Sequence, residues 1–351
     1  MIKTVPASVN DVEKTMLEEI RRISPLIYNN DWKESRFSLQ KAYVCALFSK
    51  LAYLHVPQYE LAERGRIKVV PCEEYQQITG RRLDVDVRAI LSQAEFERSF
   101  VIESRYVVII GARAPHNKFV VVAVRGTADR YDWFDNLDAR RHEFHDSACF
   151  FHRGFFKAIA ACFEELGEKL MALDRNNVPI YVTGHSLGGA MAAILHALWA
   201  PNGTSQTGYH GAVIHSAYTF GMPRYGNWRA VIEFPQPYHL YNAEDIVPSV
   251  PPTWLGFDSC LREFMLDGAR LEARHSRQLL SFLRWTNRLY WFSLSGVAPH
   301  LIGTYLGHIR KHIPDDAFIR RQEAFMPRDT SDKAKVPPCP ASDLPIDMPE
   351  M

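Results

Sequence analysis

The stretch from Tyr181 to Ile194, YVTGHSLGGAMAAI, constrains this chain more than any other. Upstream, Pro179 to Thr183 is a short apolar, β-branched run of the kind that forms a buried strand. Downstream, Leu187 to Ala200 is rich in alanine and leucine, without internal proline, and is expected to be helical. Gly184 and Gly188 flank Ser186 at minus two and plus two. So sharp a passage from strand to helix needs bare backbone at both places, because side chains there would strike the adjoining elements. Ser186 has two readings. It could cap the helix by accepting a bond from an otherwise orphaned N–H. It could instead be a nucleophile thrown clear of the backbone at the positive end of the helix dipole. A G-x-S-x-G pattern set between a strand and a helix favours the nucleophile.

The rest of the chain reads as alternating elements. Residues 1–36 form a polar helical lead-in, and Leu39 to Leu54 an amphipathic helix with Ala42, Cys45, Ala46, Leu51 and Leu54 available for burial. Tyr106 to Ala112 and Lys118 to Gly126 are strand-like and joined by RAPHN, which suggests a hairpin feeding a sheet. Phe155 to Leu173 carries Phe155, Ile159, Cys162, Phe163, Leu166 and Leu170 at helical spacing. His215 to Gly221 and Pro237 to Asn242 supply two further strands. Alternation of this kind implies an α/β fold, a mostly parallel central sheet covered by helices on both faces, over residues 37–326. Pro327 to Met351 holds six prolines and no aromatic residue, so it is expected to be a disordered tail.

Composition narrows the partners. A formal net charge of +1 over 351 residues gives no basic stripe for nucleic acid. No apolar run reaches the length of about 18 residues that a transmembrane helix needs. The N-terminus lacks an apolar signal core, and the six cysteines are scattered without a C-x-x-C pair. Both features lead us to expect a cytoplasmic protein with reduced thiols.

A serine nucleophile needs a base, and the base needs an orienting carboxylate. YHLYNAEDIVPSVPP offers a strand, a polar turn and then Asp245, with Glu244 as its neighbour and rival. Four histidines follow: His275, His300, His308 and His312. His275 lies in a charge-rich surface stretch. His308 and His312 share a helix face at i, i+4, but no H-E-x-x-H carboxylate lies between them, so a solvated helix end is the reading preferred over a metal site. His300 follows a Gly-Val-Ala-Pro turn, in a loop where a triad histidine belongs.

These segments resemble the class 3 lipases of the fungal type, α/β hydrolases that act on acylglycerols. VVAVRGTADRYDWFDNL (Val121 to Leu137) is similar to that family's strand ending in F-R-G-[ST]. FHRGFFKA (Phe151 to Ala158), VTGHSLGGA, TFGMPRYGN (Thr219 to Asn227) and YNAEDIVPSVPP resemble its later motifs, and HLIGTY its H-S-x-x-x-Y. Two positions depart from the pattern: Val124 stands where phenylalanine is usual before the arginine, and Leu301 where serine usually follows the histidine.

The resemblance implies a catalytic set of Ser186, Asp245 and His300, with His308 the alternative base. It implies oxyanion donors at Leu187 and Thr127, and a lid over 128–137 with Trp133, Phe134 and Leu137 on its apolar face. The implied partner is a lipid or ester substrate, and no metal or organic cofactor is required. Ser281 to Leu294, SFLRWTNRLYWFSL, mixes aromatic residues with arginines, which suits either peripheral contact with a lipid surface or a core helix. Rival functions are a phospholipase A1, a short-chain esterase, and a scaffold that binds partners without chemistry.

Overall fold

Strand periodicity builds the centre of the fold. In the run Val120 to Arg125 every position is buried, and the side chains alternate between two cores: Val120, Val122 and Val124 enter one, Val121 and Ala123 the other. A strand apolar on both faces is a strand covered on both faces. The computed structural model describes residues 8–55, 58–63, 66–79, 85–104, 107–125, 140–143, 148–173, 178–199, 213–267, 270–274 and 298–319. Thr127, the candidate lid, His275, the aromatic run 281–294 and the proline-rich tail lie outside the described residues.

The strands are β1 (Gln58–Glu63), β2 (Arg66–Pro71), β3 (Arg98–Glu103), β4 (Val108–Arg113), β5 (Val120–Arg125), β6 (Arg141–Glu143), β7 (Phe150–His152), β8 (Ile180–His185), β9 (Ile214–Phe220), β10 (Tyr238–Asn242), β11 (Glu263–Asp267) and β12 (Arg270–Arg274). Eight of them form one sheet in the order β12-β11-β10-β9-β8-β5-β4-β3. The central pairs β5/β8, β8/β9, β9/β10 and β10/β11 are parallel, whereas β3/β4, β4/β5 and β11/β12 are antiparallel. β1 with β2 and β6 with β7 make two small antiparallel ribbons.

The helices are α1 (Val9–Arg22), α2 (Ser24–Asn29), α3 (Leu39–Ala52), α4 (Cys72–Thr79), α5 (Val87–Gln93), α6 (Arg153–Ala160), α7 (Phe163–Leu173), α8 (Leu187–Trp199), α9 (Trp228–Glu233) and α10 (Ile302–Lys311). Apolar residues of α6 to α9 pack on one face of the sheet. Those of α1, α2, α3, α5 and α10 pack on the other, so Met16, Ile20, Leu26 and Ile27 of the lead-in share a core with α3.

Two elements differ in character from the sequence reading. The expected amphipathic α3 is buried almost all round, Lys41 and Ser49 included, because it runs beneath the sheet with α1 and α10 beside it. Its polar residues find internal partners: the Lys41 ammonium donates to the Glu34 carbonyl, and the Ser49 and Thr183 hydroxyls bond at 2.9 Å. The helix expected over Phe155 to Leu173 is two helices, α6 and α7, divided at Ala161–Cys162. Cys162 N–H turns back to the Ile159 carbonyl and Leu166 N–H bonds to the Cys162 carbonyl, so the apolar face continues into the core across the break. No glycine or proline marks the division in the sequence.

Candidate active site

The parallel strands all end on one side of the sheet, and the chemistry gathers there, as it does in open α/β folds. Ser186 sits between β8 and α8 with φ of 56°, a left-handed conformation that is costly for a residue with a side chain. The neighbours explain how it is tolerated. Ser186 N–H is tied to the Phe220 carbonyl at 2.9 Å, and its own carbonyl accepts from Gly189 N–H at 2.9 Å to begin the helix. A Cβ on Gly184 would collide with the Gly188 carbonyl, and one on Gly188 with the Val124 carbonyl of β5. Strand, elbow and helix are thus pressed together at backbone distance. Leu187 begins the helix, where backbone N–H groups have no partner inside the helix and face outward.

Asp245 lies three residues past the end of β10 and is fully buried, while Glu244 beside it is exposed. His300 closes a short helical turn, Ala298–His300, just before α10. These three residues meet. Ser186 Oγ is 2.8 Å from His300 Nε2, and His300 Nδ1 is 2.7 Å from Asp245 Oδ2. Because a carboxylate only accepts, the ring proton belongs on Nδ1 and Nε2 is left bare to accept from the serine hydroxyl. Burial pushes the Asp245 carboxyl up. The His300 imidazole, the Tyr305 hydroxyl and Val247 N–H outweigh that and hold it below the usual carboxylate range.

Several supporting residues were not singled out by the sequence reading. Tyr305 donates to Asp245 Oδ2 at 2.6 Å and accepts from Asn242 N–H at 3.1 Å. A Cβ on Gly221, whose φ is 52°, would stand 2.7 Å from both the carboxylate oxygen and the Tyr305 hydroxyl, so a bare backbone is what lets those two groups meet. Asn242 donates to the Pro299 carbonyl at 2.6 Å, and its side-chain oxygen is 2.8 Å from His308 Nδ1. His308 therefore braces the loop that carries His300. Arg224 donates to the Ser249 and Pro251 carbonyls, fixing the loop that follows Asp245. Tyr305, Gly221, Arg224 and Asn242 all fall within the quoted family motifs and His308 was the rival base, but the sequence assigned none of them these contacts.

Among the described residues no group of three or more His, Cys, Asp or Glu is placed to hold a metal, and no helix is long and apolar enough to cross a membrane. Cys45, Cys149, Cys162 and Cys260 are buried thiols.

Residues 121–254 match the family model described as lipase (class 3). The chain is 30% identical over 162 residues to the secreted mono- and diacylglycerol lipase 1 of Fusarium solani, covering 44% of this chain and 46% of that protein. It is 30% identical over 178 residues to phospholipase A1-II 1 of Oryza sativa subsp. indica, covering 42% and 43%. It thus spans less than half the length of these two curated relatives. The crystal structure of mono- and diacylglycerol lipase from Aspergillus oryzae superposes with a TM-score of 0.50 at 17% identity, over 78% of this chain and 96% of that one, a likeness of fold. Sheet order, elbow geometry and these matches agree on the α/β-hydrolase fold, and residues 121–254 are similar to the class 3 lipases.

Proposed function

We propose that this protein is a serine-dependent carboxylic ester hydrolase, a lipase that cleaves acylglycerols through an acyl-enzyme on Ser186. The observation that carries the reading is the hydrogen-bonded series Ser186–His300–Asp245 at a strained strand-to-helix turn. A mono- and diacylglycerol lipase and a phospholipase A1 among the relatives support an ester of a lipid as the substrate class.

In this mechanism His300 Nε2 takes the Ser186 hydroxyl proton as Oγ attacks the ester carbonyl carbon. Asp245 holds the Nδ1 proton in place and stabilises the imidazolium that results. The tetrahedral oxyanion is met by Leu187 N–H at the start of α8, with Thr127 as the second donor that the family pattern implies. Collapse breaks the bond to the alcohol, which leaves with the proton from His300. Water then attacks the acyl-enzyme, His300 takes its proton, and the carboxylic acid departs with Ser186 restored.

The test combines a fluorophosphonate probe with hydrolysis of p-nitrophenyl esters, triacylglycerols and phospholipids. Ser186→Ala is expected to fold, to lose labelling and to lose at least about four orders of magnitude in ester hydrolysis. Folded wild-type protein that neither labels nor hydrolyses any ester would instead mark a non-catalytic scaffold. The rice relative favours a second reading, phospholipase A1, which predicts release of the sn-1 fatty acid from phospholipid at a rate exceeding that from acylglycerols.

A further inference from the structure

We infer that His185, the residue immediately before the nucleophile, is a positioning residue that sets the register between Ser186 and His300. The inference rests on the hydrolase reading above. His185 is buried, at 5% exposure, and its Nε2 is 2.6 Å from the backbone carbonyl oxygen of His300. A carbonyl can only accept, so the proton lies on Nε2 and the neutral ring presents Nδ1 as an acceptor. Nδ1 is met at 3.0 Å by the hydroxyl of Tyr53, at the C-terminal end of α3. Tyr53 is itself seated: its hydroxyl also reaches the His185 carbonyl at 3.3 Å, and the Arg125 guanidinium lies 5.6 Å from its ring centre while donating to the His55 carbonyl. The centres of the two imidazoles are 4.7 Å apart, with their planes inclined at 36°.

The turn bearing His300 is gripped at three successive carbonyls. Ala298 accepts from the Thr304 hydroxyl at 2.8 Å, Pro299 from the Asn242 amide at 2.6 Å, and His300 from His185. The first grip is local to α10 and the second comes from β10. The third comes from the residue bonded to Ser186, so nucleophile and base are linked by one peptide unit, one imidazole and one hydrogen bond. Base and nucleophile stand only 2.8 Å apart, and displacing a reacting group by about 1 Å can cost about a hundredfold in rate. The grip acts before any substrate binds, so it bears on kcat and leaves KM nearly untouched.

His185→Phe keeps a ring of similar size but removes the donor. His185→Gln restores an amide N–H at about the reach of Nε2. On a soluble p-nitrophenyl ester, the Phe variant is expected to lose about 10- to 100-fold in kcat with KM within about twofold, and the Gln variant to recover to within about fivefold of wild type. Tyr53→Phe leaves the elbow intact and removes the partner that fixes the tautomer; it is expected to lower kcat about threefold, again without moving KM. A readout independent of turnover is the downfield proton resonance of His300 Nδ1–H in its short bond to Asp245. It should persist in wild type and the Gln variant and broaden or vanish in the Phe variant. If the Phe variant does not fold, the Gln and Tyr53→Phe variants decide.

Wild-type kcat and an unchanged resonance in His185→Phe would overturn the inference, as would a Gln variant impaired as much as the Phe variant. Wild-type kcat in Tyr53→Phe would remove its tautomer step. A wild-type protein that shows the resonance yet cleaves no ester would refute the hydrolase reading, leaving the role of His185 to be judged on the resonance.

Discussion

Replacing Tyr305 by phenylalanine removes one oxygen, and the structure says what that oxygen does. It donates to the buried Asp245 carboxylate at 2.6 Å and accepts Asn242 N–H at 3.1 Å. A hydrogen bond to a charged group contributes about 1.5 to 3 kcal/mol, and an orphaned buried N–H costs about 1 to 3 kcal/mol. The expected loss is about 3 kcal/mol at neutral pH, while the ring keeps its packing against Phe220 and His185. Acid should shrink the difference. Asp245 is held below its ordinary 3.8 in the fold, partly by Tyr305, so its contribution to stability is complete above that value and is lost as pH falls through the folded one. Urea unfolding at about pH 7 and at successively lower pH values measures this directly. Turnover should fall only about tenfold, because His300 Nδ1 remains bonded to Asp245; Asp245→Asn, which reverses the tautomer, should cost about 10⁴. A loss below about 1 kcal/mol at neutral pH, or one that does not shrink as the pH is lowered through the titration of Asp245, would refute the reasoning.

Other outcomes follow from packing and burial elsewhere. Gly188→Ala would drive a Cβ into the Val124 carbonyl group, 2.8 Å from its carbon and 3.1 Å from the Arg125 Cα. Because β5 backbone cannot swing aside, we expect a loss above about 3 kcal/mol and at least about a hundredfold in hydrolysis. By contrast Gly303→Ala in α10 meets nothing within 4 Å and should stabilise by about 0.5 to 1 kcal/mol; thermal melts of the pair test both signs. His196 in α8 is pushed down from 6.5 to about 3 by burial first and then by Arg262 and His215. The unfolded chain therefore binds a proton that the fold refuses. Stability should be full above about pH 6.5 and fall by about 1.4 kcal/mol per unit as pH drops toward 3. His196→Leu should flatten that slope in urea titrations, and an unchanged slope would place the acid sensitivity elsewhere.

The parts of this protein that were legible in its sequence are those whose causes lie within a few residues. Gly184, Ser186 and Gly188 form an elbow because backbone collisions at that turn are local, and the unbroken apolar run Val120–Val124 of β5 requires cover on both faces of the sheet. Asp245 stands out because strand, turn and proline-fixed loop follow one another in order. The choice of base is not of this kind. His300 and His308 lie eight residues apart on one segment, and only the stacking of β8, β9 and β10 brings His300 to Ser186 and ties His308 to Asn242. Tyr305, Asn242, His185 and Tyr53 act across 57 to 132 positions of chain, so even where a motif contains one of them its partner is not marked by periodicity or spacing. The burial of α3 has the same origin. Its residues specify a helix, but whether its second face meets water depends on α1 and α10 arriving from opposite ends of the described chain. Sequence alone sets conformation and periodicity, because both are imposed by covalent neighbours; the identity of each functional partner is settled only by tertiary packing, where distance along the chain no longer measures distance in space.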